Sequence, residues 1–275
     1  MEVLLESAVT VFSPQSQSHR NFDFRISDFE GPSDWRTSNI KLRSRGFTLI
    51  ELLVVMGIVA LLMVLVAPAF TTIKSGTDVT SGAYTIKGTL DTARTYAKAN
   101  NTYTWVGFFE EDVASTTPGT AGIGRLVMSI VASSDGTNVG SSSGTIAPTK
   151  LIQVGKLTKI DNVHLATNLP TGSGASPRST FDTRPPVGPA YCLGDTANST
   201  TPFQYPVGSP YTFRKAVQLS PGGEARINNN TNALQTFAEI GLEPTHGNVV
   251  PNPTPANLVA VQFGGVGADV IIYRK

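Results

Sequence analysis

Between Phe47 and Phe70 the chain reads FTLIELLVVMGIVALLMVLVAPAF, 24 residues with a single charge. As a helix at 1.5 Å per residue this run extends about 36 Å, enough to cross a hydrocarbon core. Lys41, Arg43 and Arg45 stand directly before it. Basic residues beside a span stay cytoplasmic, so everything after Phe70 is expected on the far side. The one charge inside the run is Glu51, four residues in. An ionised carboxylate deep in a bilayer is expensive, so Glu51 either lies near the interface, solvated or protonated, or has a partner.

A second processing pattern competes for the same stretch. Ala67-Pro68-Ala69 has the small residues that ordinary signal peptidase cuts, which would release a secreted β domain. The apolar run is longer than a typical signal h-region and contains an acid that no secretory signal needs, so this reading ranks second. Pro68 removes one helical hydrogen bond near the end of the span. It either loosens the helix there or marks the end of a plain anchor.

Taken together, Gly46-Phe47-Thr48-Leu49-Ile50-Glu51, the basic residues before them and the apolar run after them resemble the processing site of type IV prepilins and type II secretion pseudopilins. That resemblance implies a membrane peptidase that cuts between Gly46 and Phe47 and methylates the new amine of Phe47. It gives Glu51 a partner, the Phe47 ammonium of an adjacent subunit, and hence a part in setting axial register during assembly. Gly46 has a physical reason as well, because a residue without Cβ lets a protease approach an extended backbone closely. The implied partners are the prepilin peptidase/methyltransferase, other pilin or pseudopilin subunits, an inner-membrane assembly platform and membrane lipid. Localisation follows as the bacterial inner membrane, single-pass, with the head in the periplasm or outside. The departure from the pattern is the leader, since 46 residues precede the expected cut. It is either an extended cytoplasmic leader or an upstream start, and the next methionine, Met56, lies inside the span.

Beyond the span, Ile86, Leu90, Ala93 and Ala97 recur at helical spacing up to Asn100-Asn101, which predicts an amphipathic continuation packed on a sheet. Leu90, Ala93, Arg94, Ala97 and Asn100, followed by a strand, are also similar to H-type minor pseudopilins and FimT-like pilins. Predicted strands follow at 102–109, 123–132, 151–154, 162–166, 211–219, 223–227 and 237–242. Ser220-Pro221-Gly222-Gly223 reads as one hairpin turn, and Phe263 to Gly267, between strands at 258–262 and 268–273, as another. Stretches 133–144 and 171–190, rich in Gly, Ser and Pro, are expected to be exposed loops too polar for core. The expected fold is α+β: a cleaved leader at 1–46, a transmembrane assembly helix at 47–70, its amphipathic continuation at 71–101, and a mainly antiparallel β-sheet head at 102–275.

Composition excludes several functions. Net charge is +1 and no basic tract tracks a phosphate backbone, so nucleic acid is not an expected partner. The lone Cys192 excludes an internal disulfide and reads as a small buried or loop residue; His19, His164 and His246 have no metal-ligand spacing. Glu110, Glu111 and Asp112 form an acidic cluster without EF-hand spacing. No phosphate loop, nucleophile elbow or zinc-protease motif is present, so no catalytic residue, metal or cofactor is assigned.

Overall fold

The helix that begins the described chain starts with a reciprocal cap. The Thr48 backbone N–H donates to Glu51 Oε2 at 2.9 Å, and the Glu51 N–H donates to Thr48 Oγ1 at 3.3 Å. Thr-x-x-Glu ahead of an apolar run is a capping box, and it satisfies two of the N–H groups that a helix start leaves without partners. From there α1 spans Leu49–Ala99. The computed structural model describes residues 47–139, 144–229, 231–251 and 257–275, with backbone alone over 65–77. The chain divides into two units, Met1–Leu52, of which 47–52 are described, and Leu53–Lys275.

α1 ends where its own chemistry stops it. Asn101 adopts a left-handed backbone (φ 47°), and the Thr102 N–H donates to Ala97 O at 3.0 Å. That bond from C″ to C3 is a Schellman ending, in which asparagine tolerates the positive φ better than most residues. The face of α1 that is buried carries Val79, Ala83, Ile86, Leu90, Ala93 and Ala97, a stripe of 3.6-residue period that extends the predicted one by about two turns. Each Val, Ile or Leu so buried contributes about 1.5–3 kcal/mol.

Among the described residues the head contains ten strands in two sheets, all paired antiparallel. The first sheet comprises β1 (Thr104–Asp112), β2 (Gly124–Ser133), β3 (Leu151–Gln153), β4 (Thr158–Asp161), β6 (Lys215–Leu219) and β7 (Ala225–Ile227), in the order β3-β2-β1-β6-β7 with β4 also on β2. The second is β10-β9-β8-β5, built from β5 (Val163–Leu165), β8 (Phe237–Pro244), β9 (Val259–Gly264) and β10 (Val270–Arg274). Both predicted hairpins are present, as β6–β7 and β9–β10. β4 was not predicted, because Thr-Lys-Ile-Asp buries only Ile160 and shows no alternation long enough to read. The strand expected from Tyr211 begins only at Lys215. Tyr211 and Phe213 turn instead onto the far side of the first sheet.

One residue carries the chain from the first sheet to the second. Asn162, at φ 61°, separates β4 from β5; its N–H donates to Gly124 O at the start of β2, and its carbonyl accepts from the Thr245 N–H just past β8. Its side-chain amide donates to Asp78 on α1 at 2.9 Å. The helix stripe packs against apolar residues of both sheets in one cluster, including Val106, Met128 and Val217 from the first and Ile240, Val261 and Phe263 from the second.

Each sheet has its other face covered as well, and this corrects the expectation of free polar loops. Behind the first sheet, Trp105, Val127 and Val131 pack with Phe203, Tyr211 and Phe213 from the 200–213 segment. Phe203 and Phe213 stack at 5.0 Å between centroids, and a Cβ on Gly107 would lie 2.5 Å from the Phe203 ring, so β1 has glycine where the stack presses on it. Behind the second sheet, Ala260, Leu258 and Tyr273 pack with Leu169, Phe181 and Cys192. Stretch 171–190 was expected to be exposed and too polar for core. It instead buries Phe181, Arg184 and Val187. The physical reason is that the back of the second sheet is itself polar. Glu239 meets Arg184 at 3.0 Å, and the Gln262 amide donates to Pro185 O at 2.9 Å. A loop that places an arginine and backbone carbonyls against such a face satisfies it where an apolar segment would strand it.

Candidate processing and assembly site

The residues singled out at the processing site divide across the described boundary. Lys41, Arg43, Arg45 and Gly46 lie outside the described residues. Phe47 is 81% exposed, Thr48 occupies the N-cap, and Glu51 sits at the third helical position. The Thr48 hydroxyl also donates to Glu51 Oε2, at 2.8 Å. Among the described residues, the bonds to this carboxylate go to Oε2. Reading the sequence for charge alone missed the cap, although the Thr-x-x-Glu signature was present.

From Phe47 to Val64 every described side chain is exposed, most of them large and apolar. Among the described residues no helix is long and apolar enough to cross a membrane. The span read from Phe47 to Phe70 passes at residue 65 into the stretch described by backbone alone, and α1 runs on through Pro68 there.

In the head, the acidic cluster at the end of β1 does not converge. Glu110 and Glu111 point to opposite sides of the strand, as the period of two requires. Glu111 is buried, and its Oε1 accepts from the Gly119 N–H and the Tyr211 hydroxyl, each at 2.9 Å. Arg125 Nη1 reaches its Oε2 at 3.1 Å and Lys159 Nζ at 3.5 Å. Burial alone would raise this carboxyl. The hydrogen bonds from Gly119, Tyr211 and Arg125, with the Lys159 charge, outweigh it and hold the pKa at about 2. Asp112 accepts from the Ala114 N–H at 2.9 Å. Among the described residues no group of three or more His, Cys, Asp or Glu is placed to hold a metal.

Because the Glu111 pKa is depressed on folding, its contribution to stability is complete above the unfolded value and is lost as pH falls towards 2. That contribution is of order 3 kcal/mol. Denaturant titrations of the wild type and Glu111→Gln between pH 6 and pH 2 are expected to show a gap that closes as the pH falls. A gap independent of pH would mean that the carboxylate is not the stabilising form.

On the other side of the strand, His164 Nδ1 lies 2.5 Å from Glu110 Oε1 and its Nε2 lies 3.7 Å from Glu243 Oε1. Burial lowers the His164 pKa, but the Glu110 hydrogen bond and charge prevail and raise it. Glu110 Oε1 also accepts from the Leu165 N–H at 2.9 Å, so this group ties β1 of one sheet to β5 of the other. Glu110 further lines a pocket of about 380 Å³ with Phe109, Leu165, Pro210, Arg214 and Lys215. Cys192 is buried, and burial together with the Glu239 and Asp195 charges pushes its thiol up to about 12, which keeps it protonated and inert.

Compared with known protein families, the chain matches the prokaryotic N-terminal methylation motif over residues 41–67. The match supports a type IV pilin-like chain and indicates a prepilin-like substrate of a prepilin peptidase, a class of protein that is membrane-anchored and assembles with other pilin subunits. No curated protein and no solved structure matches it.

Proposed function

We propose that this chain is a pilin-like structural subunit, either a minor pseudopilin of a type II secretion system or a minor type IV pilin, and not an enzyme. The observation that carries the reading is where the matched motif meets the fold. Cleavage after Gly46 leaves Phe47 as the residue before the N-cap, with Thr48 and Glu51 still able to close the capping box. The helix start therefore survives processing, and the new terminus stands four residues before the carboxylate that the assembly role needs. In this reading Phe47 is the methylated terminus, Lys41, Arg43 and Arg45 hold the leader on the cytoplasmic side, and 47–70 spans the inner membrane. Pro68 loosens the helix near the end of that span. The exposed apolar side chains from Phe47 to Val64 support lipid first, and neighbouring subunits later, as the surroundings of this segment. The similarity of the helix-to-strand segment to H-type and FimT-like subunits favours a minor, initiating position.

Intact-mass and N-terminal peptide mass spectrometry on protein from membranes of the native host tests the proposal. The expected chain starts at methylated Phe47. A start near Phe70 would make it a conventionally secreted β domain, and an uncut chain a simple membrane anchor.

A further inference from the structure

The second sheet ends in an open strand. In the β9–β10 ladder, the Gly264 N–H donates to Asp269 O and the Lys275 N–H donates to Leu258 O. Hydrogen-bonded pairs alternate in an antiparallel ladder, so Asp269, Ile271, Tyr273 and Lys275 face β9 while Val270, Ile272 and Arg274 turn their N–H and C=O outward. Lys87 Nζ, donating to Val270 O at 2.7 Å from α1, independently fixes that parity. The backbone groups of Ile272 and Arg274 meet no partner among the described residues.

The other edge strands are shorter, with 3 residues in β3, β5 and β7 and 4 in β4 against 5 in β10. On β5 the Leu165 N–H is taken by Glu110, and on β7 the Ala225 N–H is taken by Gly265 O. β3 and β4 share the flank of β2 as two short pieces. Among the described residues, β10 combines outward backbone groups without partners, at Ile272 and Arg274, with exposed apolar surface. At the turn end of β10 lies a trough of about 520 Å³, lined by Leu234 just before β8 and Phe237 at its start, by Val266 of the β9–β10 turn and by Ile271, of which Val266 is 77% and Ile271 50% exposed.

We propose that β10 is a docking edge for an extended, acidic segment of a partner protein, which adds as a further strand and lays apolar side chains over Ile271 and Val266. A free ladder of outward N–H and C=O groups is complementary to an extended backbone and to nothing helical. Charge sets the partner's sign. Asp269 is held by Arg94 at 3.2 Å, whereas the exposed Arg274 and Lys275 have no ion pair among the described residues. Free charge along the strand is therefore positive, and a second β10 edge would only repeat it.

Hydrogen exchange on the full chain in detergent, read at the Ile272 and Arg274 amides, tests this proposal. The probe is a blocked Glu-Val-Thr-Val-Thr-Val peptide, and its proline-interrupted form is the control. Both amides are expected to exchange about tenfold more slowly with the probe and to be unchanged by the control. Arg274→Pro removes one outward N–H from an exposed edge position, where proline is tolerated. It is expected to weaken probe binding about tenfold while the melting temperature holds. Unchanged exchange at both amides overturns the proposal. So does protection that rises with protein concentration in the absence of probe, which would assign the edge to a second copy of the chain.

Discussion

Replacing Arg184 with leucine is expected to destabilise the head by about 3–5 kcal/mol, the usual cost of stripping one partner from a buried ion pair. Arg184 is 1% exposed and Glu239 is 2% exposed. Arg184 Nε and Nη2 bind the two Glu239 oxygens, at 3.0 and 3.3 Å, while Nη1 donates to Phe181 O at 2.6 Å and Nη2 donates to Pro170 O. Its guanidinium also lies 4.2 Å from the Phe181 ring centroid. Leucine would fill part of the space and leave Glu239 as an uncompensated charge beneath the loop. Lysine would fare little better, because a single ammonium cannot reproduce a planar fork that serves a carboxylate and two carbonyls together.

The measurement is a thermal or denaturant melt of the full chain, with limited proteolysis mapped across 171–190. At this chain size a loss of 3–5 kcal/mol lowers the melting temperature by roughly 10 °C. Arg184→Leu combined with Glu239→Leu should recover part of the loss, since replacing both members of a buried pair costs less than orphaning one. A single variant within about 0.5 kcal/mol of wild type, the range of an ordinary surface substitution, would show that the loop does not depend on this pair.

Substituting Glu51 separates two roles that one carboxylate performs. Glu51→Val removes both the capping box and the charge. Glu51→Gln keeps a side chain able to accept from the Thr48 N–H but carries no charge to meet the Phe47 ammonium of a neighbour. Cleavage between Gly46 and Phe47 is expected to proceed in both variants, since the scissile residues are untouched, and incorporation into filaments to be abolished in both. The readouts are N-terminal mass for processing and sheared or purified filaments for assembly. Wild-type incorporation of Glu51→Gln, with failure confined to Glu51→Val, would assign Glu51 to the helix start alone. Normal incorporation of both variants would remove Glu51 from assembly.

The helix was legible because its signals are local. An apolar run, a stripe at 3.6-residue spacing and an asparagine pair at its end are all read within a few turns of one segment. Hairpins with glycine turns were legible for the same reason. Glu51 was legible as an anomaly, but its cap was overlooked because attention went to its charge and not to Thr48 three residues before. The head's interior was harder. Nothing in Thr-Lys-Ile-Asp distinguishes β4 from a loop, and nothing near Arg184 in sequence announces Glu239, 55 residues away.

By itself, then, the sequence determined the elements whose cause lies within about twenty residues: where α1 begins and ends, which of its faces is buried, most of the segments that become strands, and where the processing motif stands. Tertiary structure alone decided that the strands divide between two sheets at Asn162, that polar loops serve as second cores, and that β10 lies at a sheet edge. The physical reason is that hydrogen-bond satisfaction is a global condition. A buried Glu239, an outward-facing Ile272 amide or a crossing at one left-handed asparagine is specified only when groups distant in sequence are brought together or kept apart.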